Sequence, residues 1–252
     1  MVKAVRGESM RKLILMERRH HPVLYAGVFT IAMVLVDSSP FAMEWACPKL
    51  EPLPLSAMLL PPPCDECEET KAELAELMDL QKMRNPDRAT HALGDQKKGI
   101  RHFLGEIGLA IRDQTPLSDR LFKCIAQIAD EDIADAKATF YRRRPYKLAH
   151  NQLQVLKDLK LDDSSSYPSG HAAYGTIVGL VLVEMIPEKR ELIMKRIRDY
   201  GFSRMVAGVH FRSDVYAGQA AGSAIAASLF RNTDFLAGFE KSKPELRKAL
   251  GY

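Results

Sequence analysis

Apolar residues recur three and four positions apart through most of this sequence, whereas the alternation typical of β-strands is nearly absent. The segment EETKAELAELMDLQKM at positions 68–83 shows the helical spacing clearly. Further helices are predicted at positions 98–112, 119–143, 147–160, 169–186, 188–202 and 213–231. The last of these is rich in alanine and glycine, which favours close packing between helices. The sequence therefore predicts an all-α bundle in a single domain.

One apolar stretch, PVLYAGVFTIAMVLV at positions 22–36, stands apart from this pattern. It is short for a membrane-spanning helix but typical of the core of a signal peptide, and basic residues precede it. We therefore expect residues 1–42 to be a secretory signal peptide, 43–66 a proline-rich arm and 67–252 the helical domain. A retained membrane anchor and a buried core helix are the alternatives for the first segment.

The composition is that of a globular protein, with 46% hydrophobic and 27% charged residues, which excludes collagen-like and disordered classes. The net charge is +4, but the first 42 residues carry six basic and three acidic side chains. The remaining chain is thus almost neutral, and any anion site must come from a local cluster. Export would permit disulfides, and three pairings are open to the four cysteines, Cys47, Cys64, Cys67 and Cys124.

A first chemical motif ends the predicted third helix, where Lys137 and Arg144 are seven residues apart and Pro145 follows. Seven residues are about two helical turns, so both side chains would share one stripe and could converge on one phosphate. By the same geometry Arg142 and Arg143 would point elsewhere. A solvated basic helix end is the alternative interpretation.

Two further motifs combine histidine with groups that bind anions. Ser169 and Gly170 open an apolar helix whose free N–H groups favour an anion, and His171 follows where it could donate a proton. His210 and Asp214 are four residues apart, so the carboxylate could fix the imidazole tautomer and leave a nucleophilic nitrogen, with Arg204 as a third cation. The alternative for the first of these motifs is an ordinary helix cap at Ser169 with a structural His171. The alternative for the other is a helix cap at Ser213 with an exposed His210.

Together these residues resemble the signature of the phosphatidic acid phosphatase type 2 (PAP2) superfamily, KxxxxxxRP, PSGH and SRxxxxxHxxxD, and every position is matched. The range 59–231 is similar to the bacterial class A non-specific acid phosphatases, including LLPPP and SYPSGH. Ser165 and Ala172 depart from the glycine and threonine usual in that class, which leaves the fine substrate preference open. A cysteine frequent in that class after the first motif is absent, so its disulfide pattern cannot be transferred.

The resemblance implies broad, metal-independent hydrolysis of small phosphate monoesters at acidic pH in the periplasm or outside the cell. It implies that His210 forms a phosphohistidine, that Asp214 orients it and that His171 acts as acid and then as base. Five other residues would hold the phosphate: Lys137, Arg144, Ser169, Gly170 and Arg204. No metal, cofactor, nucleic acid polymer or stable membrane insertion is expected, and a homo-oligomer is compatible with the resemblance.

Other functions are compatible with parts of the pattern. A vanadate-dependent haloperoxidase has a similar signature, and a non-catalytic phosphate-binding protein would need only the cations. A membrane-integral lipid phosphatase is disfavoured because the chain beyond the leader has no stretch long enough to span a bilayer. Seven side chains outside the motifs are expected to be solvated or structural: Asp130, Glu131, Asp132, Asp135, His91, His102 and His150.

Overall fold

The computed structural model describes residues 45–252, and every regular element in that range is helical. The prediction of an all-α fold is therefore confirmed. The expected signal peptide, residues 1–42, lies outside the described residues. Within residues 45–252, none of the helices combines the length and the apolar character needed to cross a membrane.

Ten helices follow one another along the described chain. They are α1 (Leu55–Met58), α2 (Glu68–Met83), α3 (Pro86–Gly94), α4 (Ile100–Gly105), α5 (Pro116–Thr139), α6 (Pro145–Leu148), α7 (Gly170–Met185), α8 (Arg190–Val206), α9 (Arg212–Leu229) and α10 (Thr233–Leu250). A short 3-10 turn, Pro187–Lys189, precedes α8. Side-chain caps fix several starts, because Asn85, Ser169 and Asn232 each accept a backbone N–H of the first turn.

Helix α7 is the centre of the bundle, and it packs against α5, α8 and α9. It is apolar on nearly all sides, as expected of a helix surrounded by others. Glycines of α9 allow the close approach: a Cβ at Gly218 would lie 2.3 Å from the carbonyl oxygen of Ser169, and one at Gly222 would lie 2.5 Å from that of Ala173. The alanine- and glycine-rich sequence of α9 therefore determines where the start of α7 lies.

The proline-rich arm contains α1, whose Leu55 is buried in the core. A disulfide between Cys47 and Cys124 joins this arm to α5, and a second disulfide joins Cys64 to Cys67 directly before α2. Two of the three possible pairings of the four cysteines are thereby excluded.

Helix α2 has the predicted bounds, but the prediction of helix up to residue 143 is wrong. Helix α5 ends at Thr139 because the following backbone pairs with another loop. The N–H of Arg142 donates to Ser165 Oγ at 3.0 Å, and the N–H of Ser166 donates to the Arg142 carbonyl at 2.9 Å. These bonds to a distant segment replace the next helical turn.

Other predicted helices are shorter than expected, and three helices of the described chain were not predicted. Of 98–112 only Ile100–Gly105 is helical, and the chain then turns through Gly108 at φ +74°. Of 147–160 only the turn Pro145–Leu148 is helical, because later backbone groups bond outside the segment, as Leu156 N does to Ala207 O. The helices that were not predicted are α1, α3 and α10, the last of which contains Pro244.

Candidate active site

The three sequence motifs meet at a cavity of about 230 Å³ in front of the first turn of α7, here called the motif cavity. Six of the eight predicted site residues line it: Lys137, Arg144, Gly170, His171, Arg204 and His210. The other two, Ser169 and Asp214, are fully buried behind its wall. Residues more than 70 positions apart in sequence are thus brought to one site.

His210 lies just before α9 and is only 2% exposed, which excludes the alternative of a surface histidine. Its Nε2 is 3.1 Å from Arg144 Nη1, and its Nδ1 is 3.5 Å from Asp214 Oδ2. A guanidinium can only donate, so Nε2 accepts and the imidazole is neutral with its proton on Nδ1. Burial, and then the nearby Arg144, lower the pKa of His210 well below its ordinary value.

Asp214 lies in the first turn of α9 and receives several donors. The Phe211 N–H reaches Oδ2 at 2.8 Å and Ser166 Oγ reaches the same oxygen at 2.5 Å. Arg142 Nη1 donates to Oδ1 at 2.7 Å. Burial raises the pKa of Asp214, and the Arg142 guanidinium opposes that rise. The carboxylate is therefore fixed in position beside His210.

Arg142 is a residue of the site that the sequence analysis missed. Its guanidinium is almost fully buried and also donates to Glu73 at 2.9 Å and to Thr70 at 3.0 Å, both on α2. It lies 3.9 Å from the ring centroid of Phe211, which is a cation–π contact. Arg142 points away from the cavity, as predicted, but toward Asp214 rather than solvent. The run of three arginines before Pro145 was its only sequence signal.

Lys137 and Arg144 reach the motif cavity from different backbone segments, so the prediction of a shared helical stripe is wrong. Arg144 donates to Ser164 Oγ at 2.9 Å and to the Val209 carbonyl at 3.2 Å. Lys137 donates to the Ser165 carbonyl. Burial, and then Arg144, lower the pKa of Lys137 to about 8. An anion between these cations would offset the repulsion between them.

Arg204, near the end of α8, is 4% exposed, and its Nε and Nη1 atoms have no hydrogen-bond partner among the described residues. Burial lowers the pKa of Arg204 to about 10. A buried guanidinium with two unpaired donors at a cavity is unusual, because unpaired buried donors destabilise a fold. Such unpaired guanidinium donors form strong hydrogen bonds with anionic oxygens.

Ser169 caps α7, since its Oγ accepts the Ala172 N–H at 3.3 Å, and its own N–H donates to the Asp214 carbonyl at 2.9 Å. It thus has the expected cap role and also connects α7 to α9. His171 follows in the first turn, and its Nε2 is 3.1 Å from the carbonyl oxygen of Gln96. A carbonyl only accepts, so Nε2 carries a proton. Burial, and then Arg204, lower the pKa of His171 well below its ordinary value.

Ser165, one of the two departures from the class A pattern, is buried next to these residues. Its hydroxyl receives the Arg142 N–H and donates to the Phe140 carbonyl at 2.9 Å. Its carbonyl receives Lys137. Ser165 therefore fixes the end of α5 and the position of Lys137 rather than lining the cavity.

The acidic run of α5 is only partly the solvated face that was expected. Glu131 and Asp135 are exposed, and Asp130 bonds to Lys98 at the mouth of the motif cavity. Asp132, in contrast, is 7% exposed, and burial raises its pKa.

Within residues 45–252, two of the three histidines outside the motifs belong to a buried ionic network around Asp95 of the α3–α4 loop. His102 Nε2 is 2.9 Å from Asp95, and His91 Nε2 is 2.7 Å from Asp199. His91, Asp95 and Asp199 place ligand atoms within 4.8 Å of one another, but the Arg196 guanidinium lies among them, 3.0 Å from Asp95. That guanidinium supplies the cation which these groups need. The structural role predicted for His91 and His102 thus fits, and His150 is exposed.

Comparison with known proteins gives the family. Residues 121–236 match the PAP2 superfamily. A non-specific acid phosphatase of Providencia stuartii is 33% identical over 173 residues, which are 66% of this chain and 70% of that protein. The chain belongs to the PAP2 superfamily, and the resemblance seen in the sequence is confirmed.

Other relatives match over a smaller part of their length. An acid phosphatase of Zymomonas mobilis is 36% identical over 54% of this chain and 52% of its own, and a non-specific acid phosphatase of Salmonella typhimurium is 37% identical over 46% of each. The chain thus spans about half the length of these two relatives. A solved transmembrane PAP2-type phosphatidylglycerolphosphate phosphatase from Bacillus subtilis aligns with a TM-score of 0.47 and 19% identity, over 74% of this chain and 90% of that one.

Proposed function

We propose that this protein hydrolyses small phosphate monoesters at acidic pH, with broad specificity, through a phosphohistidine on His210. The observation that carries the proposal is the pair of unpaired buried donors of Arg204 at a cavity that also contains His210 Nε2. A buried cation without partners favours an anion, and a neutral imidazole nitrogen beside it is a nucleophile. The names of the matched relatives support the same activity.

In the first step His210 Nε2 attacks phosphorus, and the bond from phosphorus to the leaving oxygen breaks. His171 gives its proton to that oxygen, so an alcohol leaves and the phosphoryl group stays on His210. Asp214 is 3.5 Å from Nδ1 of His210 and stabilises the positive charge that the ring gains. Lys137, Arg144 and Arg204 hold the three non-bridging oxygens of the transferred phosphoryl group and stabilise their charge.

In the second step His171 acts as a base. It takes a proton from water, the water oxygen attacks phosphorus, and the bond from phosphorus to His210 Nε2 breaks. Inorganic phosphate is released, and both histidines return to their initial protonation states. Because the same residue gives and receives the proton, one histidine serves both halves of the reaction.

The acidic pH dependence follows from the direction in which the pKa of His171 is shifted. The first step needs His171 protonated, and the protonated fraction falls as pH rises through its pKa. Burial and Arg204 lower that pKa below its ordinary value. The free enzyme therefore loses kcat/KM as pH rises through a range more acidic than that of a solvated histidine.

The proposal includes independence from divalent metals. In other phosphoryl-transfer enzymes metal ions neutralise the charge that develops on the transferred group. Here burial and the nearby Arg144 lower the pKa of Lys137, and Arg204 lines the same cavity. These three cations supply positive charge at the place where a metal would otherwise do so.

We also propose that the chain is exported and acts in the periplasm or outside the cell on soluble small molecules. The predicted signal peptide supports this location, and two disulfides join all four cysteines. A secreted mature protein with an N-terminus near residue 43 is the expected product. Mass spectrometry of the protein from the periplasmic and cytoplasmic fractions would test this, and an uncleaved cytoplasmic chain with free thiols would contradict it.

The activity is tested by phosphate release from p-nitrophenyl phosphate with EDTA present, from about pH 4 to pH 8. His210→Ala is expected to abolish it. His150→Ala is the matched control, because His150 is exposed and does not line the motif cavity. Phosphorus NMR of a protein quenched in base is expected to show phosphohistidine in the unsubstituted chain only. Activity that EDTA removes, or that survives in His210→Ala, would refute the mechanism.

A further inference from the structure

One wall of the motif cavity is built by residues outside the three motifs. Gln96 and Lys98 lie on the loop between α3 and α4, and Lys160 lies in the irregular segment after α6; all three line the cavity. The backbone N–H of Lys160 donates to Gln96 Oε1 at 2.7 Å. Lys98 and Lys160 therefore lie on two chain segments, which are connected by the hydrogen bond to Gln96.

This wall faces the position of the leaving group. The proton on His171 Nε2 is donated to the Gln96 carbonyl at 3.1 Å. In the proposed reaction His171 protonates the leaving oxygen, so that oxygen must come to the imidazole that Gln96 contacts. The rest of the leaving group then extends along the wall that carries Lys98 and Lys160.

The charge of the motif cavity exceeds that of one phosphate dianion. Five lysine and arginine side chains line it, against two aspartates, Asp130 and Asp162. Asp130 bonds to Lys98, and Asp162 bonds to Arg144 at 3.0 Å. Lys160 is exposed and forms no ion pair within residues 45–252, so its ammonium is available to a ligand.

We propose that the wall formed by Gln96, Lys98 and Lys160 selects substrates whose leaving group carries a second phosphate, and this inference rests on the proposed function. Ammonium groups act as compact point charges toward phosphate. For a second phosphate about 6 Å from such a group at a half-exposed site, the attraction corresponds to roughly a tenfold gain in kcat/KM. Salt screens this attraction because the wall is open to solvent.

The test compares phosphate release from propane-1,3-diol bisphosphate and from the monophosphate of the same alcohol. The ratio compared is kcat/KM for the bisphosphate divided by kcat/KM for the monophosphate. Because the bisphosphate has two equivalent phosphates, this ratio is about two without any recognition of the second phosphate. With recognition it is roughly twenty at low ionic strength. Lys160→Met is expected to move the ratio toward two, and so is added sodium chloride. Lys157→Met is the matched control, since Lys157 is exposed on the same segment but does not line the cavity.

The outcomes separate this inference from the function on which it rests. A ratio near two in the unsubstituted chain, or a ratio that Lys160→Met leaves unchanged, would overturn the inference while the monophosphate is still hydrolysed. If neither compound releases phosphate, the proposed phosphatase function itself has failed. A ratio that falls in Lys160→Met and not in Lys157→Met supports the inference.

Discussion

Replacing Arg142 by methionine removes a guanidinium that neither reacts nor touches the motif cavity. Its side chain is 1% exposed and that of its partner Asp214 is 0% exposed. The replacement leaves the buried carboxylate of Asp214 and the partly buried carboxylate of Glu73 without their common cation, and it removes donors to Ser213 and Thr70. Removing one member of a buried pair costs about 3–5 kcal/mol of the free energy of unfolding.

The expected loss of stability is large for one substitution. At roughly 2–4 °C per kcal/mol for a domain of this size, Arg142→Met lowers Tm by about 6–20 °C. Thermal unfolding followed by circular dichroism, with the disulfides intact, measures it. Arg143→Met is the matched control, because Arg143 is half-exposed and pairs with Asp65 at the surface. We expect the control to leave Tm almost unchanged.

The same substitution changes the pH dependence of the reaction in a defined direction. Burial raises the pKa of Asp214 and Arg142 opposes that rise, so without Arg142 the carboxyl keeps its proton to higher pH. A protonated Asp214 cannot stabilise the charge that His210 gains. We expect kcat to fall by about tenfold or more, and its acidic limb to move to higher pH.

Two results would refute this reasoning. One is a Tm for Arg142→Met equal to that of Arg143→Met, which would show that the buried pair does not stabilise the fold. The other is a lowered Tm with an unchanged pH profile of kcat at a temperature where the variant is folded. Arg142 would then stabilise the fold without affecting Asp214. Arg142→Lys restores the positive charge but not the planar set of guanidinium donors. It is expected to recover part of the loss in Tm and part of the loss in kcat.

Three further predictions concern other elements of the site. His171→Ala is expected to lower kcat/KM, which reports the first step, by about 10²–10⁴ for an alkyl phosphate and much less for p-nitrophenyl phosphate, whose leaving group needs no proton; equal losses of kcat/KM would contradict an acid role. Lys98→Met removes a charge that contributes to the lowered pKa of His171, so the alkaline limb of kcat/KM should move to higher pH. Gly218→Ala places a Cβ 2.3 Å from the Ser169 carbonyl and should destabilise by about 1–3 kcal/mol in urea unfolding, whereas Gly105→Ala, with nothing within 4 Å, should not.

The sequence predicted those features that depend on short-range pattern. Helix α2 has the predicted bounds, and the start of α7 follows from the cap residue Ser169 and the apolar run after it. The site residues could be named because each motif has its own local spacing. His210 and Asp214 are four residues apart, and at the start of α9 this spacing brings them to 3.5 Å.

The features that the sequence did not predict depend on bonds between distant segments. Helix α5 could continue past Thr139 by local preference, but the backbone of Arg142 bonds to the loop around Ser165 instead. The partners of Arg142 lie on α2 and α9, about 70 positions away on either side. Gln96 is in the site only because the loop after α3 packs against α7. Helical periodicity contains no information about such contacts.

Arg142 and Arg204 are both buried arginines near the same histidine, and their partners distinguish their roles. Arg142 donates to two carboxylates and two hydroxyls, so the protein itself neutralises its charge. Arg204 has two donor atoms without partners among residues 45–252, and its pKa is lowered to about 10 because burial is not compensated. Burying a charge without partners destabilises the fold. A bound phosphate would reverse that destabilisation, so we expect Arg204 to bind the ligand, whereas Arg142, whose partners belong to the protein, stabilises the fold.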